Sequence, residues 1–223
     1  MDVDTAGPAC AGISRTEHRQ VLQGMYPADQ ICNPRKRRPR WPASRSTSSR
    51  LNMRTIYLIT TGGTIEKMYS EQSGAVLNTT SKIGQYLQRL RLPDCDVRVI
   101  SLMNKDSLEM TLEDRRNLVA EIAQILAEKC PVVITHGTDT MVETGRYIQR
   151  EFPALNIPVI LTGAMTPLGF EGSDGLQNLT ESLFAAQLLG GGVYVVIHGQ
   201  IFPADRVRKD KARATFVATE GVP

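Results

Sequence analysis

The segment Thr60-Thr61-Gly62-Gly63-Thr64-Ile65-Glu66 follows the apolar run Ile56 to Ile59 and sets a candidate hydroxyl nucleophile, Thr64, in a glycine-lined turn. Paired glycines take backbone angles closed to other residues and let a ligand approach the main chain. Ligand sites of open α/β sheets gather at such carboxyl ends of strands. Taken alone, the two glycines suit a plain strand-to-helix turn equally well. Two further segments narrow that choice. Val132-Val133-Ile134-Thr135 leads into His136-Gly137-Thr138-Asp139-Thr140-Met141, and Val159-Ile160-Leu161 leads into Thr162-Gly163-Ala164-Met165-Thr166-Pro167. Strand ends that each bear glycine and hydroxyls point to one shared pocket.

The elements that must position these turns alternate regularly. From Met53 onward, β-branched runs and amphipathic stretches succeed each other, the signature of βαβ units in an α/β fold. The continuous apolar runs imply an open, mostly parallel sheet with helices on both faces, a Rossmann-like or flavodoxin-like arrangement of three layers. Strands are expected at Thr55 to Thr60, Val97 to Leu102, Val132 to Thr135, Pro158 to Leu161 and Val193 to His198. Helices are expected near Lys82 to Leu90, Thr140 to Glu151 and Asp174 to Leu189. Another is marked by Leu118, Val119, Ile122, Ile125 and Leu126 at helical spacing. Thr111 and Asp114 resemble a capping box ahead of it, and Ser173 with Asp174 suits an N-cap. Residues 67–80 break the alternation and read as a long functional loop or small hairpin. Such a lid would exclude water and bring Tyr69 to the pocket.

At 223 residues and 41% hydrophobic, the chain can bury one good-sized core. Residues 1–52 carry nine Lys or Arg against four Asp or Glu, whereas residues 53–223 carry 17 against 19. The net charge of +3 therefore arises in the extension, while the remainder is mildly acidic. The extension, rich in Arg, Ser and Pro, is expected to be disordered and dispensable, with Met53 a plausible start. No aromatic platform or basic helix accompanies Arg35-Lys36-Arg37-Arg38, so no nucleic-acid partner is expected. No spanning or secretory segment is evident, and no membrane association is expected. The cysteines have no paired spacing for a metal and His18, His136 and His198 are scattered, so neither metal nor cofactor is expected. A reducing cytoplasm fits.

Thr61-Gly62-Gly63-Thr64-Ile65, His136-Gly137-Thr138-Asp139-Thr140-Met141 and Gly163-Ala164-Met165 together resemble the bacterial-type L-asparaginases. The resemblance runs from about Arg54 to the end, as in the amino-terminal domain of the two-domain enzymes, and looks like a short, single-domain branch. It implies hydrolysis of L-asparagine to aspartate and ammonia through an acyl-enzyme on Thr64, with Tyr69 activating that threonine. It further implies a second cluster of Thr138, Asp139 and a lysine, Lys209 or alternatively Lys211. Asp139 would accept the substrate ammonium and Ser107 would donate to its carboxylate, with Gly63, Thr138 and Ala164 completing the binding set. The usual serine-glutamine pair stands here as Ser107-Leu108. A glutamate normally contributed by a neighbouring protomer has no counterpart. The resemblance also implies a homo-oligomer.

The chemistry suits these residue types. A threonine hydroxyl needs a nearby proton acceptor, which a buried lysine beside a second threonine can provide, while turn N–H groups face the oxyanion. Simpler roles stay open for each residue: Thr64, Thr138 and Asp139 as caps, Tyr69 and Ser107 as loop residues, Lys209 on a solvated charged face. Two other functions also remain: a non-catalytic amino-acid-binding module, and an asparaginase-like component of a tRNA transamidation complex.

Overall fold

The computed structural model describes residues 53–78 and 83–219; the extension 1–52 expected to be disordered lies outside them. Its strands are β1 (Arg54–Gly62), β2 (Lys67–Tyr69), β3 (Val76–Asn78), β4 (Cys95–Lys105), β5 (Val132–Thr135), β6 (Pro158–Thr162), β7 (Gly192–Ile197), β8 (Gln200–Pro203), β9 (Val207–Asp210) and β10 (Thr215–Ala218). The helices are α1 (Ile83–Leu87), α2 (Leu112–Leu126), α3 (Met141–Glu151) and α4 (Gly175–Ala185).

The main sheet has the order β4-β1-β5-β6-β7-β8. Its first five strands run parallel and β8 closes one edge antiparallel to β7. Successive side chains of a strand face opposite ways, and both ways are covered here. Tyr57 and Ile59 of β1 join Ile134, Leu161 and Val195 under the buried stripe Leu118, Ile122 and Ile125 of α2 and Ile148 of α3. Ile56 and Leu58 turn to the other face, where Val133 and Ile160 meet Ile83 of α1 and Leu179 and Leu183 of α4. Each fully buried Leu or Ile contributes about 2 kcal/mol by leaving water. The three-layer α/β architecture read from the sequence is thus the one observed.

Among the parallel strands, the first in the chain sits beside the second on one side and the third on the other. That is the flavodoxin-like order, whose crevice opens where the chain reverses direction across the sheet. The reversal falls between β1 and β5. The two most prominent turns of the sequence leave those two strands.

Several elements differ from the sequence reading. The first helix covers only Ile83–Leu87, with Arg89 and Leu90 already in tighter i to i−3 bonds ahead of Pro93. Helix α4 ends at Ala185; Gln187 and Leu188 bond to Phe184 and Ala185 in tightened turns before the Gly190-Gly191-Gly192 run. The hairpin β9–β10 has no counterpart among the expected strands, because its only fully buried apolar residues are Val207 and Phe216, too few for a visible alternation. Residues 67–78 form the small hairpin β2–β3.

Candidate functional site

Register brings the strand ends level: Thr60 of β1 stands opposite Thr135 of β5, which stands opposite Thr162 of β6. Their hydroxyls and neighbours are stitched together below the turns. Thr61 Oγ1 donates to the Thr135 carbonyl at 2.7 Å, and Thr135 Oγ1 donates to Glu66 Oε1 at 2.9 Å. The same carboxylate oxygen accepts the Gly62 N–H at 3.2 Å. Glu66, only 4% exposed, therefore ties the first turn to β5.

The glycines then let the turns touch. Gly63, at φ 78°, lies so close to Gly137 that any Cβ would overlap the Gly137 backbone. Gly137 in turn packs against Ser107, where a Cβ would come within 2.5 Å of the serine side chain. Gly163 abuts the His136 carbonyl and the Thr138 methyl. The turns after β1, β4, β5 and β6 thus form one cluster at the carboxyl edge of the sheet. Thr64 and Thr138 flank the contact between Gly63 and Gly137.

Lys209, carried by β9, reaches into this cluster. Its Nζ donates to Thr138 Oγ1 at 2.6 Å and to Asp139 Oδ1 at 3.0 Å. The Lys209 side chain is 17% exposed, whereas Lys211 is exposed beyond the strand. Neither Thr138 nor Asp139 caps α3: the residue before that helix is Thr140, whose hydroxyl donates to the Ser107 carbonyl at 2.9 Å. Ser107 is 2% exposed and its Oγ has no partner among the described residues. Thr64 is half-buried at the start of a single 3₁₀ turn, whose cap position is Gly63 and has no side-chain hydrogen bond.

Tyr69 is not gathered in. It ends β2 with 57% of its surface exposed, and the hairpin stands off the sheet above a cleft of about 340 Å³ lined by Lys67, Asn78, Asn104, Asp106 and Glu109. An ion pair tethers it, Lys67 Nζ to Asp106 Oδ2 at 2.6 Å. The Asp106 carboxyl is kept below its usual range by Lys67, then by the Leu108 N–H, with the more distant charge of Lys209 adding to both.

The structure adds residues to which the sequence reading assigned no site role. Asp174 does not cap α4 with its side chain; its carboxylate accepts the N–H groups of Met165 and Thr166 at 2.9 to 3.1 Å and so shapes the third turn. Asn178 donates to the Gly163 carbonyl at 2.9 Å. Burial alone would raise the Asp174 carboxyl, but those N–H groups and His198 outweigh it and hold it below the usual value. The sequence signal for Glu66 is its place at the end of the first motif; that for Asp174 is Gly172-Ser173-Asp174-Gly175, where a helix cap is the nearer local explanation. Among the described residues, no group of three or more His, Cys, Asp or Glu could hold a metal ion.

Residues 55–220 match the family described as Asparaginase, N-terminal, and the chain belongs to that family. It is similar to L-asparaginase 1 of Escherichia coli K12, with 33% identity over 141 residues covering 61% of this chain and 41% of that protein. A component of the glutamyl-tRNA(Gln) amidotransferase of Methanococcus vannielii is 29% identical over 154 residues, covering 67% of this chain and 35% of that one. The solved structure of the thermostable L-asparaginase from Thermococcus kodakarensis superposes with a TM-score of 0.65 at 28% identity, over 74% of this chain and 51% of that one. The chain spans about half or less of the length of these relatives.

Proposed function

We propose that this chain hydrolyses the side-chain amide of L-asparagine to L-aspartate and ammonia through an acyl-enzyme on Thr64. The observation that carries the reading is the contact of Lys209 with Thr138 and Asp139 beside the turn that bears Thr64. The family and its L-asparaginase members support it.

In this scheme the Thr64 oxygen adds to the amide carbon and the carbonyl oxygen becomes an oxyanion facing turn N–H groups. Removing one such donor typically costs about 3 to 4 kcal/mol of barrier. Collapse breaks the C–N bond and ammonia leaves with the proton taken from the hydroxyl. Water then adds to the ester, releasing aspartate and restoring Thr64. Proton transfer through Thr138 to Lys209 requires the free amine, so the short contact between them reverses, the hydroxyl donating to nitrogen. Asp139 keeps one carboxylate oxygen, Oδ2, for the substrate ammonium while Oδ1 holds Lys209. Ser107 Oγ, without a hydrogen-bond partner among the described residues, suits the substrate carboxylate, and closure of the hairpin brings Tyr69 to Thr64.

The test is ammonia release by the full chain from L-asparagine, D-asparagine and L-glutamine, with Thr64→Ala and Thr138→Ala beside the wild type. Release from L-asparagine that falls by at least about a hundredfold in each variant, at unchanged circular dichroism, is expected. Full activity of either variant contradicts the mechanism.

The Methanococcus vannielii relative favours one second reading, an asparaginase-like component of a complex working on tRNA. The mildly acidic balance of residues 53–223, 17 Lys or Arg against 19 Asp or Glu, weighs against an RNA surface. Binding of bulk tRNA that weakens with salt would revive it. The reading includes a homo-oligomer, supported by the exposed Phe184, Leu188 and Ile201 beside the edge strand β8. It also includes a reducing compartment, supported by the free thiols of Cys95 and Cys130.

A further inference from the structure

His198 and Gly199 form the two-residue turn joining β7 to β8, and both have positive φ, 52° and 73°. A two-residue hairpin turn of this kind prefers Asn-Gly, because a bulky side chain strains the left-handed backbone at its first position. Histidine is nevertheless the residue here, and its ring is fully engaged. Nε2 lies 2.8 Å from Asp174 Oδ2 and Nδ1 lies 2.9 Å from Thr215 Oγ1. A carboxylate only accepts, so the Nε2 proton points to Asp174; in the neutral ring Nδ1 then accepts from the Thr215 hydroxyl. The backbone N–H of His198 is also taken, by Asn178 Oδ1 at 2.9 Å.

Both ends of this chain of bonds terminate on the candidate site. Asp174 holds the Met165 and Thr166 N–H groups of the third turn. Thr215 belongs to β10, where Phe216 stands opposite Lys209 of β9. Side chains alternate across a two-stranded ribbon, so Lys209 and Phe216 project from one face and Thr215 from the other. The ribbon is therefore gripped on both faces: Phe216 in the core and Lys209 on Thr138 from one side, His198 on Thr215 from the other. A hairpin this short has little stability of its own.

We propose that Asp174, His198 and Thr215 are positioning residues, a hydrogen-bonded strap that registers the hairpin bearing Lys209 against the third turn and so sets the contact of Lys209 with Thr138. The catalytic weight of the strap rests on the function proposed above; its mechanical part does not.

The experiment uses the full chain with His198→Asn, Thr215→Val and Thr215→Ser. Asparagine fits the left-handed turn position at least as well as histidine but is too short to join both partners, so folding is retained while the strap is cut. Lys209 is read directly, by peptide mass spectrometry after brief acylation, with exposed Lys211 as the internal standard, and by hydrogen exchange across residues 207–218. His198→Asn and Thr215→Val are expected to raise Lys209 labelling relative to Lys211 about fivefold or more and to speed exchange in the hairpin, with β1 and α2 unchanged, as local opening of a weakly held segment does. Thr215→Ser, which keeps the hydroxyl, should behave as wild type. In ammonia release from L-asparagine the cutting variants should lose about tenfold or more in kcat with KM within about threefold, as misplacement of a reacting group does. Unchanged Lys209 labelling and exchange in both cutting variants overturns the strap whatever the activity. Labelling that rises while no form of the chain releases ammonia supports the strap and counts against the amidase reading instead.

Discussion

His136 sits one residue from the cluster yet does a different job from its neighbours. It is fully buried, its Nδ1–H donates to the Gly137 carbonyl at 2.8 Å, and burial pushes its pKa down to about 4, with the charge of Arg115 adding to the effect. The folded chain thus keeps the ring neutral where an unfolded chain would protonate it. Stability from this residue is complete above about pH 6.5 and is lost progressively as pH falls toward 4, by on the order of 3 kcal/mol. Urea midpoints should drop over that window, and an NMR titration should show the His136 ring still neutral at pH 5. A ring that protonates near pH 6.5 in the folded protein contradicts this. Glu66 and Ser107 contrast with it at the same scale, one buried carboxylate fastening backbone and one buried hydroxyl without a hydrogen-bond partner among the described residues.

At the scale of elements, the hairpins divide the labour. β9–β10 is pinned by Val207, Phe216 and the strap to His198 and presents Lys209 in place. β2–β3 has exposed Val76 and Leu77 and is joined by Lys67 to Asp106, just past the end of β4. Lys67 and Asp106 are both half-buried, and ion pairs near a protein surface contribute about 0.2 to 1 kcal/mol, a weak hold on the hairpin. If Tyr69 acts only after closure, Tyr69→Phe should lower kcat for L-asparagine about tenfold or more without moving the thermal midpoint, because the exposed ring supports no core. Unaltered kcat would argue against any part for Tyr69 in the reaction. Helix α2 illustrates a purely structural element: Thr111 and Asp114 form a reciprocal capping box, and Lys105 holds the Asp114 carboxyl down to about 2.

At the scale of the whole molecule, the sheet explains where the candidate site is. Parallel strands that reverse order between β1 and β5 leave a crevice at their carboxyl ends, and every residue of the cluster lies on a turn at that edge or is delivered to it. The opposite concern is the far edge. Phe184, Leu188 and Ile201 are 63%, 65% and 50% exposed and line an apolar groove beside β8. Exposed apolar surface next to an edge strand favours association. A Phe184→Glu, Leu188→Glu double variant should remain folded and move self-association to at least about tenfold higher concentration, as measured by sedimentation velocity. A wild-type chain that stays monomeric at all concentrations rules out this surface as a dimer contact.

The sequence alone determined the layers, the positions of the parallel strands and the turns that could bear chemistry, because a buried strand and an amphipathic helix write their periodicity into consecutive residues. The threonines, glycines and Asp139 were legible for the same reason: they directly follow those strands. What the tertiary structure decided was everything carried by partners far apart in the chain. Lys209 rather than Lys211 meets Thr138 across 71 positions, Asp174 serves a turn instead of its own helix, and His198 joins Asp174 to Thr215. Such pairings depend on distances set by packing two elements together, and no local pattern of residues records them.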